Sequence, residues 1–419
     1  MLEVSLISPP PGTVPDLSVP LTSFDLPWFN FSPVHRIFFY STPDPITPLI
    51  ESLKSSLSLT LQRFYTLAGT VCLSPDPNDN RVDIQYNDGD SIRFTVAESN
   101  SDFNELAAGT KREYSTQIHP LLPKQSGLLA VQVTVFPGHG ICIGFTIPHV
   151  AGDGSSTVRF LKSWASACRS GELARTPIYD RSLITEIPGY YSVLHKNLIQ
   201  SRPVPTAETS PSPGVILALF TLGRDKIERL KQRVREHDEH THCSTFVVSC
   251  AYAWVCFVRT RRCFANYLTA RFLIAVDCRR RLDPAVPDSY FGNCLRPLLV
   301  EESVGVLKGE DGVLEACLTI GKAVEGLKEG VMRGAEGWTS KLMAIEQETL
   351  LSIAGSPNLG VYDVDFGWGK PARVEIPSIM KTGAISLAET REGGGGVEIG
   401  IALDKGEIDE FEAKFYGSV

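Results

Sequence analysis

The chain has no run of about 18 consecutive apolar residues, the length that a membrane-crossing helix requires, so no membrane span is expected. It opens Met1-Leu2-Glu3-Val4 without a basic segment leading into a long apolar one, so no signal peptide is expected. It has no excess of positive charge. Forty Lys and Arg face 48 Asp and Glu, a formal net charge of −8, which disfavours nucleic acid as the main partner while leaving room for a local phosphate-binding patch. CxxC pairs are missing. The ten Cys, at 72, 142, 168, 243, 250, 256, 263, 278, 294 and 317, are scattered and read as free thiols in a reducing compartment, the cytoplasm. No GxSxG elbow supplies a hydrolase with its serine, and no GxGxxG fingerprint marks a dinucleotide fold. The run Gly393–Gly396 is followed by neither a helix nor a Lys-Ser/Thr pair, and is read as a hairpin tip, not a phosphate loop.

What is present is an ordinary globular composition, 43% hydrophobic and 21% charged over 419 residues, enough chain for two or three domains. Its most informative stretch runs from Leu128 to Cys168. Two apolar runs, Ala130 to Phe136 and Ile141 to Ile147, flank a Pro-Gly-His-Gly turn and predict a β-hairpin. The second run leads through Pro148 into His149-Val150-Ala151-Gly152-Asp153-Gly154. A helix is predicted next, with Val158, Leu161, Trp164, Ala165 and Cys168 on one face.

One His and one Asp therefore stand four residues apart on a Gly-rich turn between a strand and a helix. An imidazole titrates near neutral pH and suits general-base work. Pro148, Gly152 and Gly154 argue against a regular helix that would make the two a metal pair. Asp153 has three readings: it orients the His, it forms a structural ion pair, or it N-caps the helix beside it.

Elsewhere the pattern is that of core elements. Leu49, Leu53, Leu57 and Leu61 line one face of a helix predicted over Thr47 to Leu67, and strands are predicted at Arg36 to Tyr40 and Thr70 to Leu73. The segment Asn197 to Gly214 holds Pro203, Pro205, Pro211 and Pro213 among Ser and Thr, and reads as a linker. It divides the chain into an N-terminal domain, 1–196, a crossover, 197–214, and a C-terminal domain, 215–419. The second part opens with a strand, Val215 to Leu222, followed by a helix carrying Ile227, Leu230 and Val234. His237, His240 and His242 fall in a solvated turn, so no metal is expected there. Ser244 caps a long apolar helix ending at Arg259, Arg261 and Arg262, which either offset its dipole or meet a nucleotide phosphate. Phe272 to Val276 is a strand ending at Asp277-Cys278-Arg279-Arg280-Arg281, whose arginines either pair with Asp153 across the fold or form a surface basic cluster. Ala384 to Thr390 and Val397 to Leu403 alternate as strands, and a last helix packs Ile408, Phe411 and Phe415.

Three stretches in order, His149 to Gly154, Tyr290-Phe291-Gly292-Asn293-Cys294 and Asp365-Phe366-Gly367-Trp368-Gly369-Lys370-Pro371, resemble the plant BAHD acyl-CoA-dependent acyltransferases. The YFGNC stretch is similar to the branch acting on anthocyanins and other flavonoid or phenolic glycosides, and the likeness runs from Pro20-Leu-Thr-Ser-Phe-Asp25 to the C-terminus. Pro148 stands where many relatives have a second His. The resemblance implies an α/β fold of two chloramphenicol-acetyltransferase-like domains, each a mixed sheet with helices, and a channel between them with His149 at its middle.

It also implies site roles. His149 is the general base, with Asp153 beside it in the catalytic motif and held by an Arg, for which Arg279 is the matching position. Asp365 belongs to a supporting loop, and Trp368 and Asn293 are candidates for the oxyanion site or the channel wall. Ser244 and Thr245 are candidates for binding CoA. Cys294 is packing, because the family uses no Cys nucleophile.

The expected reaction moves an acyl group from acyl-CoA, a co-substrate and not a bound cofactor, to a sugar hydroxyl without an acyl-enzyme. Around His149 the chain most resembles the malonyl-transferring members of the family, and that resemblance implies malonyl ahead of hydroxycinnamoyl as the donor. A malonyl carboxylate needs a cation, for which Arg159 on the following helix is a candidate, whereas a hydroxycinnamoyl group needs an apolar slot. A non-catalytic ligand-binding member of the family is the alternative of another class. The expected partners are small molecules only, with no metal, nucleic acid or membrane, and the chain is expected to be a monomer.

Overall fold

The structure is a computed structural model that describes residues 2–42, 45–74, 81–173, 175–187, 189–200 and 213–417. It is built on two large mixed sheets. The first has six strands in the order Glu3–Ile7, Ile92–Glu98, Ala130–Phe136, Gly140–Ile147, Val34–Ser41 and Arg373–Glu375. The second has seven, in the order Leu295–Ser303, Thr269–Asp277, Leu350–Gly355, Ile385–Glu389, Val397–Asp404, Val215–Leu222 and Lys111–Glu113. A small sheet of Leu17–Pro20, Val82–Tyr86 and Thr70–Leu73 lies apart. Most pairings are antiparallel, but Ile92–Glu98 runs parallel to Ala130–Phe136, and Leu350–Gly355 runs parallel to both of its neighbours.

Each large sheet is covered by helices whose apolar faces were visible in the sequence. The helix Ile46–Leu61 buries Leu49, Leu53, Leu57 and Leu61 in the same core as Val158, Leu161, Trp164 and Ala165 of the helix Gly154–Ser170. Trp164 anchors that contact, with its indole N–H donating to Leu53 O and Ser56 Oγ, each at 3.1 Å. The first of these helices stops at Leu61 instead of continuing to Leu67, where a separate short turn, Tyr65–Leu67, leads into the next strand. In the second half, Thr245–Thr260 is apolar on every side and is buried on nearly every side, as such a helix must be.

The halves exchange strands. Arg373–Glu375 pairs with the Val34–Ser41 edge of the first sheet, and Lys111–Glu113 pairs with the Val215–Leu222 edge of the second. The two exchanged strands are tied to each other by the buried Arg112–Glu375 ion pair. A boundary drawn at 197–214 thus separates the main bodies of the sheets but not every strand, because edge pairing between residues as far apart as Glu113 and Ile216, or Phe39 and Arg373, leaves no local mark. Within that crossover, 201–212 lies outside the described residues; 197–200 ends the helix Tyr190–Gln200. Among the described residues, no helix is long and apolar enough to cross a membrane, and no cluster of three His, Cys, Asp or Glu is placed to hold a metal ion.

Candidate active site

The strand Gly140–Ile147 ends at Pro148, and a single short turn, His149–Ala151, carries the chain to Asp153, the N-cap of the helix Gly154–Ser170. The carboxylate of Asp153 serves two of the three expected roles at once. Its Oδ1 accepts from Ser156 N at 2.9 Å, capping the helix, and its Oδ2 accepts from Arg279 Nη1 at 2.7 Å and Cys294 N at 3.1 Å. No hydrogen bond joins Asp153 to the imidazole. Asp153 and Arg279 are both fully buried. Burial works against the Arg279 charge, yet the Asp153 carboxylate more than offsets it and leaves the pKa above its ordinary value.

Arg279 also reaches Gly292 O at 3.1 Å through Nη2, and Ser156 Oγ both donates to Gly292 O at 2.9 Å and accepts from Gly292 N at 3.1 Å. The His149 turn is therefore stapled to the YFGNC loop. Gly292 is required in that loop. Its φ is +148°, and a Cβ there would sit 2.5 Å from Arg181 Nη1. Arg181 in turn donates to Phe291 O at 2.6 Å and Pro20 O at 3.1 Å, binding in the N-terminal segment as well.

The imidazole of His149 is held on three sides. Its Nδ1 lies 3.1 Å from Asn293 Oδ1, Trp28 stacks on its face at 3.9 Å with planes 13° apart, and Phe31 meets it edge-on at 6.0 Å. Nε2 makes no hydrogen bond among the described residues. Burial pushes the His149 pKa below the ordinary histidine value of 6.5, against the opposing pull of Asp153 and the Asn293 bond, so the ring is a neutral base at physiological pH.

Several expected site residues are placed elsewhere. Asn293 is no oxyanion donor: its Nδ2 is spent on Asp25 Oδ1 and His149 O, each at 3.0 Å, so it holds the imidazole and not the substrate. Trp368 is no oxyanion group either. It stacks on Phe366 and meets Tyr40 edge-on, in a loop packed against Arg169 at the other end of the motif helix, which at 1.5 Å per residue is about 25 Å long. Asp365 stays in that loop, accepting from Gly367 N and Gly369 N at 2.8 and 2.9 Å and pairing with Arg169 at 3.6 Å; it does not reach His149. Arg159, the candidate for an acyl carboxylate, donates through Nη2 to Asp288 O at 2.5 Å, and its Nε is left without a partner. Arg259 is spent on Leu307 O and Gly309 O, and Arg261 on Glu407, so neither is left for a nucleotide phosphate. Ser244 caps its helix through Val247 N, and Thr245 Oγ1 accepts from Lys231 Nζ; both line a cavity of about 360 Å³ together with Asn358, Glu389 and the Gly393–Val397 tip. A second cavity, about 350 Å³, lies beside Thr22 and Arg181, and His149 lines neither.

Asp25, Trp28, Phe31 and Arg181 were missed as site residues. The only signal available was the likeness of the segment ending at Asp25 to known relatives, which says nothing about what its side chains touch.

A model of the transferase family matches residues 3–417. The chain belongs to the BAHD transferase family. Its relatives include a malonyl-coenzyme A:anthocyanin 3-O-glucoside-6''-O-malonyltransferase from Dahlia pinnata, 34% identical, with 98% of this chain and 95% of that protein covered. A coumaroyl-CoA:anthocyanidin 3-O-glucoside-6''-O-coumaroyltransferase from Arabidopsis thaliana is 36% identical, with 99% and 96% covered. Among solved structures, vinorine synthase shares the fold at a TM-score of 0.76 and 23% identity, covering 99% of this chain and 97% of that one. The TRI101 protein of F. sporotrichioides, solved with coenzyme A and T-2, does so at 0.71 and 15%, covering 93% and 96%. The BAHD chain described here is thus an acyltransferase with acyl-CoA as its co-substrate.

Proposed function

We propose that this acyltransferase moves an acyl group, malonyl by preference, from CoA to a sugar hydroxyl of an anthocyanin or related phenolic glycoside, with His149 as the general base. The observation that carries the base assignment is the imidazole itself: Nδ1 engaged by Asn293, Nε2 without a partner, and a pKa lowered by burial. A sugar hydroxyl is a poor nucleophile until its proton is taken. Nε2 takes that proton as the oxygen attacks the thioester carbonyl, the C–S bond of the tetrahedral adduct then breaks, and the proton goes to the departing CoA thiolate. Both substrates are held together, so no acyl-enzyme is formed and proximity supplies much of the rate. The acceptor class rests on full-length relatives that carry malonyl or coumaroyl groups to anthocyanin glucosides.

The cation for a malonyl carboxylate, sought at Arg159, is better supplied by Arg36. It stands opposite Phe145 on the strand neighbouring the one that leads to His149, and its buried Nε and Nη1 have no hydrogen-bond partner. Burial lowers its pKa to about 10, Glu389 opposing, which still leaves it charged. Glu389 also lines the cavity with Ser244 and Thr245, the proposed CoA side. A bound carboxylate satisfies donors that are otherwise orphaned.

The test is competition of malonyl-CoA against coumaroyl-CoA on anthocyanin and flavonol glucosides, with Arg36→Met and His149→Ala as controls. Malonyl transfer should win in the native protein, and Arg36→Met should reduce its advantage by about ten-fold, the value of one lost charge-assisted bond. A higher specificity constant for coumaroyl-CoA overturns the donor and leaves the reaction class standing. The absence of transfer from every CoA thioester favours a ligand-binding protein.

A further inference from the structure

We infer that Asp25 is a positioning residue that sets the tautomer of His149 through Asn293, although it does not touch the imidazole. His149 and Asn293, 124 and 268 residues along the chain from Asp25, form one chain of hydrogen bonds with it. Asp25 is wholly buried. Its Oδ2 accepts from Thr22 N at 2.9 Å and Thr22 Oγ1 at 2.8 Å, and its Oδ1 accepts from Asn293 N at 2.8 Å and Asn293 Nδ2 at 3.0 Å.

A carboxylate only accepts hydrogen bonds, so the atom of the Asn293 amide that faces Asp25 must be the NH₂. The other neighbours of that NH₂, His149 O at 3.0 Å and Val150 O at 3.4 Å, are acceptors too. Turning the amide over would set its oxygen against three acceptors. The amide orientation is therefore decided by its surroundings and is not a free choice. Asn293 Oδ1 is then presented to His149 Nδ1, and an oxygen without hydrogens bonds that nitrogen only if the nitrogen carries the proton. Nδ1–H leaves the lone pair on Nε2. Free imidazole side chains in water favour the opposite tautomer, Nε2–H, which has no lone pair at Nε2 with which to take a hydroxyl proton. Asp25 thus keeps the ring in the form that general-base chemistry at Nε2 requires.

This inference rests on the reading of His149 as the base, but its primary readout does not. The full-length protein, labelled with ¹⁵N at its eight His, gives the tautomer of each neutral ring from its nitrogen shifts, and loss of one set in His149→Ala identifies His149. The native protein should show His149 as Nδ1–H. Asp25→Ala should let Nε2–H appear, with kcat lower by one to two orders of magnitude, part of the roughly 10²–10⁴-fold that a positioned base supplies, and with KM for acyl-CoA little changed. Asp25→Asn, which keeps an acceptor oxygen for Asn293, should recover most of both. Nε2–H at His149 in the native protein overturns the inference even if no variant folds, and so does a folded Asp25→Ala that keeps Nδ1–H and native kcat. Native turnover in His149→Ala defeats the base assignment alone and leaves the tautomer result intact.

Discussion

The two ends of the helix Gly154–Ser170 carry two of the three sequence motifs, and they are built in opposite ways. At the N-terminal end, the His149 turn is held by long-range partners: Arg279, Gly292 and Asn293 from the second half, and Trp28 from the N-terminal segment. At the C-terminal end, the DFGWG loop closes its hydrogen bonds on itself, through Asp365 and the amides of Gly367 and Gly369, while Tyr40, Trp164 and Arg169 pack around it. A locally closed loop keeps its shape wherever it is placed. An unpaired Nε2 on a neutral imidazole must be held in position from several directions, and long-range bonds do that.

The contrast can be broken most severely at Arg279. Removing one partner of a buried ion pair leaves the other charge stranded, so Arg279→Ala should cost about 3–5 kcal/mol of stability, read from urea denaturation, and take activity with it. Asp153→Asn should act in the same direction and less strongly, because it keeps an acceptor for Ser156 N. An Arg279→Ala protein as stable as the native one would mean that the staple between the loops is not needed.

His149→Ala should leave stability near native while lowering turnover by about a hundred-fold or more. Near-native turnover in that folded variant would remove the difference in role between the two ends. The pH profile sharpens the same point. Because burial lowers the His149 pKa, the ring stays neutral as pH falls past 6.5, and the acid limb of kcat/KM should have its midpoint below that value. A midpoint above 6.5 would mean that the Asp153 charge outweighs burial. The smallest effect belongs to the other end. Asp365→Ala should cost about 1.5–3 kcal/mol, the scale of hydrogen bonds to a charged group, with kcat changed less than two-fold. A ten-fold fall in kcat would show that the DFGWG loop acts on the reacting centre.

Much of the fold was legible because it is periodic. Alternation marked Ala130–Phe136 and Val215–Leu222, the leucine spacing marked Ile46–Leu61, and Ser244 marked the start of Thr245–Thr260. The three motifs in order located the His149 turn and its Arg partner. The overrun of the first helix to Leu67 has a local reason: Phe64 leaves helical geometry, with φ −110° and ψ +40°, while its side chain is buried in the core. Apolar spacing continues through such a break, so it does not show one.

By itself, then, the sequence determined the elements, the face that each one buries and the place of His149 on the turn between a strand and a helix, because these depend on residues within a few positions of each other. Tertiary structure alone decided the rest. The pairing of Asp153 with Arg279 was expected from the motifs, but that the other oxygen of the same carboxylate caps the helix at the same time was not. Asn293 changed from a candidate oxyanion donor to the holder of the imidazole because an acceptor 268 residues away consumes its NH₂. Arg159 is half-buried and spends Nη2 on Asp288 O, with Nε alone left over, whereas Arg36 is buried and keeps two orphaned donors, Nε and Nη1. A hydrogen bond needs its donor and acceptor within about 3 Å, and spacing along the chain constrains that distance only for near neighbours.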